Sequence, residues 1–194
     1  HSLFSRFELN WPAPAFLGGI LLFSIKMGEI SDKVNKKIII QIVYSIFLVL
    51  LVTVQTYFPF LPLKGKLDIT NRYHVFSSFP NELQNYLATE SKYKNYRIVA
   101  NNYQIPSMVN LYIKPELEAT CLSIGYHKTL YSFLYPDENL AGGNYLYLTT
   151  GKNFPDNLKR YFDEIIFLHQ FKSIRRGEVI AKYSLWHVIN YHGK

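Results

Sequence analysis

Arg6, Glu8, Asn10 and Trp11 are the residues whose types and spacing best suit chemistry, in the run Arg6-Phe7-Glu8-Leu9-Asn10-Trp11-Pro12-Ala13-Pro14. A guanidinium holds phosphate oxygens through charge-assisted hydrogen bonds, and an indole can stack on a sugar or lie among lipid headgroups. With a carboxylate and an amide beside them where an apolar stretch begins, they make a mouth suited to an amphiphile with a phosphate head. Plain interfacial anchoring accounts for the same residues equally well.

Elsewhere no spacing completes a catalytic constellation. His74, His127, His169, His187 and His192 form no HxH, HExxH or HxxxH pair, so the histidines offer no zinc site. Gly142-Gly143 lacks the remaining glycines and the lysine of a phosphate loop, and Ser123 and Ser132 sit in no nucleophile elbow. Asp137-Glu138 and Asp163-Glu164 are adjacent acids able to bind a cation, though such pairs more commonly mark solvated turns. Cys121 is the one cysteine, which excludes an intrachain disulfide and a cysteine-based metal cluster. Its apolar surroundings, Ala119 to Ile124, suit a small core residue.

The element that must position this mouth is membrane-like. From Ile38 to Leu63 the chain carries no charge, and at ~1.5 Å rise per residue about 20 apolar residues cross a bilayer core. The pattern predicts a transmembrane helix over 38–58, in which Gln41, Ser45, Thr53, Gln55 and Thr56 are scattered and make no polar face. A second uncharged stretch, Leu9 to Ile25, predicts a shorter membrane helix over 11–27, with Pro12 and Pro14 in its first turn and Trp11 at the interface. The connector Gly28 to Lys37 and its flank carry Lys26, Lys33, Lys36 and Lys37 against Glu29 and Asp32. By the positive-inside rule this loop is cytoplasmic, and both outer ends are extracytoplasmic.

From Lys64 onward the composition is that of a globular domain large enough for its own core. Helices are expected over 79–93 and 103–113, strands over 97–100, 119–123 and 144–149, a helical turn or loop over 128–134 and a brief helix over 155–162. Two long β-rich runs, 164–174 and 178–191, meet at Arg175-Arg176-Gly177, which reads as a hairpin turn. Alternating strands and helices imply parallel pairing first, and the hairpin implies an antiparallel end. The expected core includes Ile98, Val99, Leu111, Cys121, Leu146, Leu148, Ile165 and Phe167. The fold class is thus a pair of transmembrane helices within 1–63 and an extracytoplasmic α/β domain with a mixed sheet over 64–194.

Charge and composition agree with this division. The mean hydropathy of −0.03 averages two apolar segments with a polar remainder. The net charge of +7 is spread along the chain, the adjacent basic pairs being Lys36-Lys37, Lys159-Arg160 and Arg175-Arg176, and no nucleic-acid-binding pattern is present. Sixteen tyrosines suit membrane interfaces and sugar-facing surfaces alike.

Glu8-Leu9-Asn10-Trp11-Pro12-Ala13-Pro14 resembles the E-x-N-W-P-x-P segment of bacterial membrane glycosyltransferases of family 39, the protein mannosyltransferase-like and aminoarabinose-transferase-like enzymes of the GT-C class. Asp68-Ile69-Thr70-Asn71-Arg72 is similar to that family's D-x-T-x-R segment, with His74 and Val75 in place of the usual Gly-Trp. Ala100-Asn101-Asn102-Tyr103-Gln104-Ile105-Pro106-Ser107, followed by Leu111-Tyr112, resembles the A-x-x-Y-Q-x-A-S…F-Y strand and helix. Gly143-Asn144-Tyr145-Leu146-Tyr147-Leu148 resembles the G-x-D-x-L-Y-V strand, with Asn where Asp is common.

The resemblance implies the C-terminal part of a multi-pass inner-membrane enzyme that moves a sugar from a polyprenyl-phosphate donor to a lipid, glycan or protein acceptor on the extracytoplasmic side. In that family the acidic catalytic residues lie in the first extracytoplasmic loop, upstream of anything here. This chain is then expected to hold no catalytic residue and no cofactor, a divalent metal in the upstream part remaining compatible with the resemblance, and to offer Arg6, Glu8, Asn10 and Trp11 as substrate-binding residues. The alternative is a two-helix anchor presenting a noncatalytic binding or assembly domain.

Overall fold

The computed structural model describes residues 19–20, 22–23, 36–93, 95–113, 118–122, 124 and 129–193. The chain divides into two compact units, His1–Val54 and Gln55–Lys194.

In the first unit the dominant element is helix α1, Lys36–Tyr57, whose last turn belongs to the second unit. Its sequence KKIIIQIVYSIFLVLLVTVQTY has no charge after Lys37 and no Gly or Pro to interrupt it. Ile39–Tyr57, 19 residues, is long and apolar enough to cross a membrane, the one such span among the described residues. Every side chain from Ile39 to Leu50 is exposed, unlike those of a helix packed in a soluble core. Of the helix expected over 11–27, Gly19, Ile20, Leu22 and Phe23 are helical and the rest lies outside the described residues.

The second unit is an α/β domain around one mixed sheet. Its elements are helix α2 (Phe79–Thr89), strand β1 (Ile98–Ala100), helix α3 (Gln104–Tyr112), β2 (Ala119–Cys121), the short helix α4 (Leu130–Leu134), β3 (Tyr145–Thr150), β4 (Phe162–Arg175) and β5 (Glu178–Tyr191). The order across the sheet is β2-β1-β3-β5-β4. β1 lies parallel to both β2 and β3, whereas β5 runs antiparallel to β3 and β4. The parallel half and the antiparallel end both follow the sequence expectation, because helical crossovers return strands in parallel and a two-residue turn cannot.

Each local element has a visible cause. Pro80 occupies the first turn of α2, and Leu83 and Leu87, four apart, are buried on its inner face. The Asn102 side chain accepts a hydrogen bond from the Gln104 backbone N–H at 2.8 Å, starting α3, with Pro106 in its first turn. A capping box of Thr129 and Ser132 opens α4. The β4–β5 turn places Arg176 and Gly177 at φ 55° and 77°, the paired positive values that match the twist of the flanking strands.

Strand β3 is buried on both faces and divides the core in two. Leu146 and Leu148 face Ile98, Leu83, Ile105 and Val109 under α2 and α3. Tyr145 and Tyr147 face Val188, Phe154, Leu158 and Phe162 on the other side.

The expected core needs two corrections. Leu111 is 71 % exposed because it falls on the face of α3 turned away from Ile105 and Val109. Phe167 is half-exposed because a register irregularity between Phe167 and His169 resets the inside-outside alternation of β4. Ile98, Val99, Cys121, Leu146 and Leu148 are buried as expected, and Ile165 is partly buried. The brief helix expected over 155–162 is a 3-10 helix, Asp156–Tyr161.

Candidate functional site

Arg6, Glu8, Asn10 and Trp11 all lie outside the described residues. Two other places in the second unit gather polar side chains, and both contain residues from the quoted motifs.

The first is a buried hub around Asp68. The Asp68 carboxylate is 3 % exposed. It accepts hydrogen bonds from the Thr70 N–H at 3.0 Å, the Thr70 hydroxyl at 2.5 Å and the Gln55 amide at 3.1 Å. Arg175, from the β4–β5 turn, approaches it at 3.6 Å. Burial alone would raise the carboxyl's pKa, but the bonds from Thr70 and Gln55 and the Arg175 charge together hold it below the usual value. Asp68 is therefore an ionised structural anchor.

The same arginine closes the end of α1. Its Nη2 donates to the carbonyls of Gln55 and Thr56 at 2.9 and 2.8 Å, and its Nη1 donates to Thr70 Oγ1 and Asn71 Oδ1 at 2.8 and 2.9 Å. The Nε2–H of His74 donates to the Thr56 carbonyl at 2.9 Å, and Arg176 donates to the Leu61 carbonyl at 2.8 Å. Helix α1 has no base in its own last turn, so the hairpin supplies the cation that its unpaired carbonyls and dipole call for. Sequence reasoning had singled out Asp68 and Thr70 by resemblance but missed Gln55 and Arg175. The available signals were a glutamine near the end of an apolar helix and an arginine pair at a turn.

The second place is a cleft of about 370 Å³ between α3 and α4, lined by Tyr103, Ser107, Asn110, Leu130, Tyr131 and Leu134 among others. Tyr103 and Ser107 come from the run Ala100 to Ser107. The Ser107 hydroxyl donates to the Tyr103 carbonyl at 2.7 Å and lies 3.1 Å from the Tyr131 hydroxyl. The Asn110 amide is committed to the Ala119 backbone, donating at 2.8 Å and accepting at 2.8 Å. At one wall Tyr135 donates to Glu118, Glu118 pairs with Arg97, and the Arg97 guanidinium lies over the Tyr135 ring at 4.9 Å. The bond from Tyr135 is the chief reason Glu118 stays below its usual pKa, with Arg97 adding to it. Aromatic rings over a mixed polar and apolar floor can stack on a ring-shaped ligand, and among the described residues of the cleft no nucleophile is aligned with a base.

The remaining sequence candidates have structural roles. Gly142 N–H donates to the Tyr191 carbonyl at 2.7 Å, and Asn144 accepts from the Asn190 N–H at 2.9 Å, so this motif ties β3 to the end of β5. Asp163 accepts from Asn190 at 2.5 Å and from His192 at 2.6 Å, and these two bonds lower its pKa. Among the described residues no group of three or more His, Cys, Asp or Glu side chains is placed to hold a metal ion.

Neither family models, nor curated proteins, nor solved structures match the chain.

Proposed function

We propose that this chain is the C-terminal, membrane-proximal part of an integral-membrane glycosyltransferase that moves a sugar from a polyprenyl-phosphate donor to a lipid, glycan or protein acceptor. Two membrane helices, the second of them α1, and an extracytoplasmic α/β domain make up this part, which is noncatalytic by itself. One observation carries the reading beyond sequence. Asp68 and Thr70, conspicuous only through the D-x-T-x-R resemblance, are the residues on which the domain's β4–β5 turn and the last turn of a membrane-length helix converge. Such a joint suits an extracytoplasmic domain that begins directly at the end of a membrane helix, as the transferase reading requires. Arg6 and Trp11 are the residues proposed to meet the donor's phosphate and sugar.

A specific observation also favours the second reading, a membrane-anchored binding or assembly domain: a cleft lined by Tyr103, Tyr131 and Tyr135 lies between α3 and α4. One assay separates the two. Membranes containing the complete reading frame are supplied with a panel of labelled polyprenyl-phosphate sugars, beside membranes from a strain without it and from one lacking residues 64–194. The transferase reading expects label in an acceptor fraction only with the complete frame. Absence of transfer at normal abundance, with ligand retained by the cleft, overturns it in favour of the binding domain.

A further inference from the structure

The segment between the end of α1 and α2 alternates in a way that a water-facing linker does not require. Asp68 and Thr70 point into the hub, while Leu67 and Ile69 on either side, and Tyr73 just beyond, are among the most exposed apolar side chains of the second unit. The exposure is built in: the Asp68 carboxylate holds the Thr70 N–H and hydroxyl, two short 3-10 helices (Gly65–Leu67 and Ile69–Tyr73) flank Asp68, and the neighbours are forced outward. Phe58 and Tyr57 are exposed in the same way, and so are the basic side chains Lys64, Arg72 and Arg176.

One bond ties this segment to the end of α1. Gln55 is in the last turn of α1, the turn that marks where the hydrocarbon ends if Ile39–Tyr57 spans it, and its amide holds Asp68 at 3.1 Å. Leu67 and Ile69, adjacent to Asp68 in the chain, are thereby kept at the level of the helix end. We propose that Leu67, Ile69 and Tyr73 form an interfacial foot that seats in the headgroup and upper acyl region of the leaflet where α1 ends, with Lys64, Arg72 and Arg176 facing anionic phospholipid headgroups. Apolar side chains with an aromatic ring and a rim of bases are the composition that partitions to this zone. Covalent continuity with the helix and the sign of the exposed charge both select lipid as the occupant. The inference rests on the membrane placement of α1 and not on sugar transfer.

The test uses the full chain reconstituted in nanodiscs of zwitterionic and anionic phospholipid. Single cysteines at Ile46, Leu67, Ile69, Tyr73 and Glu82 carry an environment-sensitive fluorophore, and lipids bear a quencher either near the headgroup or deep in the acyl chain. Cys121 is buried, and the unsubstituted chain sets the labelling background. Labels at 67, 69 and 73 are expected to be quenched about twofold or more by the shallow quencher, the label at 46 by the deep one and the label at 82 by neither. If position 46 is quenched while 67, 69 and 73 behave like 82, the foot is overturned and the membrane helix stands. If position 46 is also unquenched, the foot falls together with the membrane placement of α1.

Discussion

Arg175 and Asp68 meet at 3.6 Å, the carboxylate buried and the arginine side chain only 9 % exposed, although 107 positions of sequence numbering separate them. The pair is compensated on every side: the carboxylate by Thr70 and Gln55, the guanidinium by two backbone carbonyls and two side-chain oxygens. Removing one member leaves the other charged and buried. Arg175→Met is expected to cost roughly 3–5 kcal/mol of unfolding free energy. Asp68→Asn keeps an acceptor for the Thr70 N–H and should cost less, about 1–3 kcal/mol. Denaturant titration of the full chain in mild detergent measures both, and equal midpoints for Arg175→Met and the parent would rule out a stabilising hub.

Leu146 and Leu111 make a direct comparison between a core assigned from spacing and the core that forms. Leu146 lies fully buried on central strand β3, so Leu146→Ala should cost about 2–5 kcal/mol through lost burial and a residual cavity. Leu111→Ala, on the outer face of α3, should fall within about 0.5 kcal/mol of the parent. Thermal melts of the two variants side by side decide the matter.

At the β4–β5 turn, Gly177 sits at φ 77° with open space where a Cβ would go. The cost of Gly177→Ala is therefore conformational alone, about 1–2 kcal/mol. An unchanged melting midpoint in that variant would contradict the turn geometry.

His187 on β5 lies against the rings of Tyr93 and Tyr96 at 5.4 and 5.1 Å, and neither ring nitrogen has a hydrogen-bond partner among the described residues. Burial first, then the Lys92 charge, lower its pKa below the usual 6.5, against a smaller upward pull from Glu164. The unfolded chain then binds the proton more readily than the folded one. Stability from this group is full above pH 6.5, declines as pH falls below it and is lost once the pH passes the folded value. His187→Phe should flatten the stability profile over that acidic window, read as unfolding midpoints against pH.

For the proposed donor contact, Arg6→Ala in the complete enzyme should lose a charge-assisted hydrogen bond worth roughly 1.5–3 kcal/mol, or about ten- to a hundredfold in transfer efficiency. Trp11→Ala should weaken donor use as well, and Lys194→Ala should leave it unchanged. Normal transfer by both Arg6→Ala and Trp11→Ala, at normal membrane abundance, would reduce this segment to an interfacial anchor.

Periodicity and composition alone determined the apolar span ending near Tyr57, the succession of strands and helices, the change from parallel to antiparallel pairing and the turn at Arg176-Gly177. These are local properties: side-chain period, turn chemistry and uninterrupted apolar length act within a few residues of one another. Tertiary structure alone decided which polar residues meet. Gln55 looks in sequence like one of several scattered polar positions in an apolar helix, yet it is 2 % exposed and bound to Asp68. Arg175 looks like half of a basic turn, yet its guanidinium is spent on the end of α1. Tyr103 and Tyr131 share a cleft only because α3 and α4 both pack against β2. Leu111 and Phe167 failed as core residues for the complementary reason, since helix facing and a strand irregularity are set by what packs against them and not by residue type. Hydrogen bonds between residues about a hundred positions apart leave no period to read, so the hub became visible only when the hairpin folded back to the helix end.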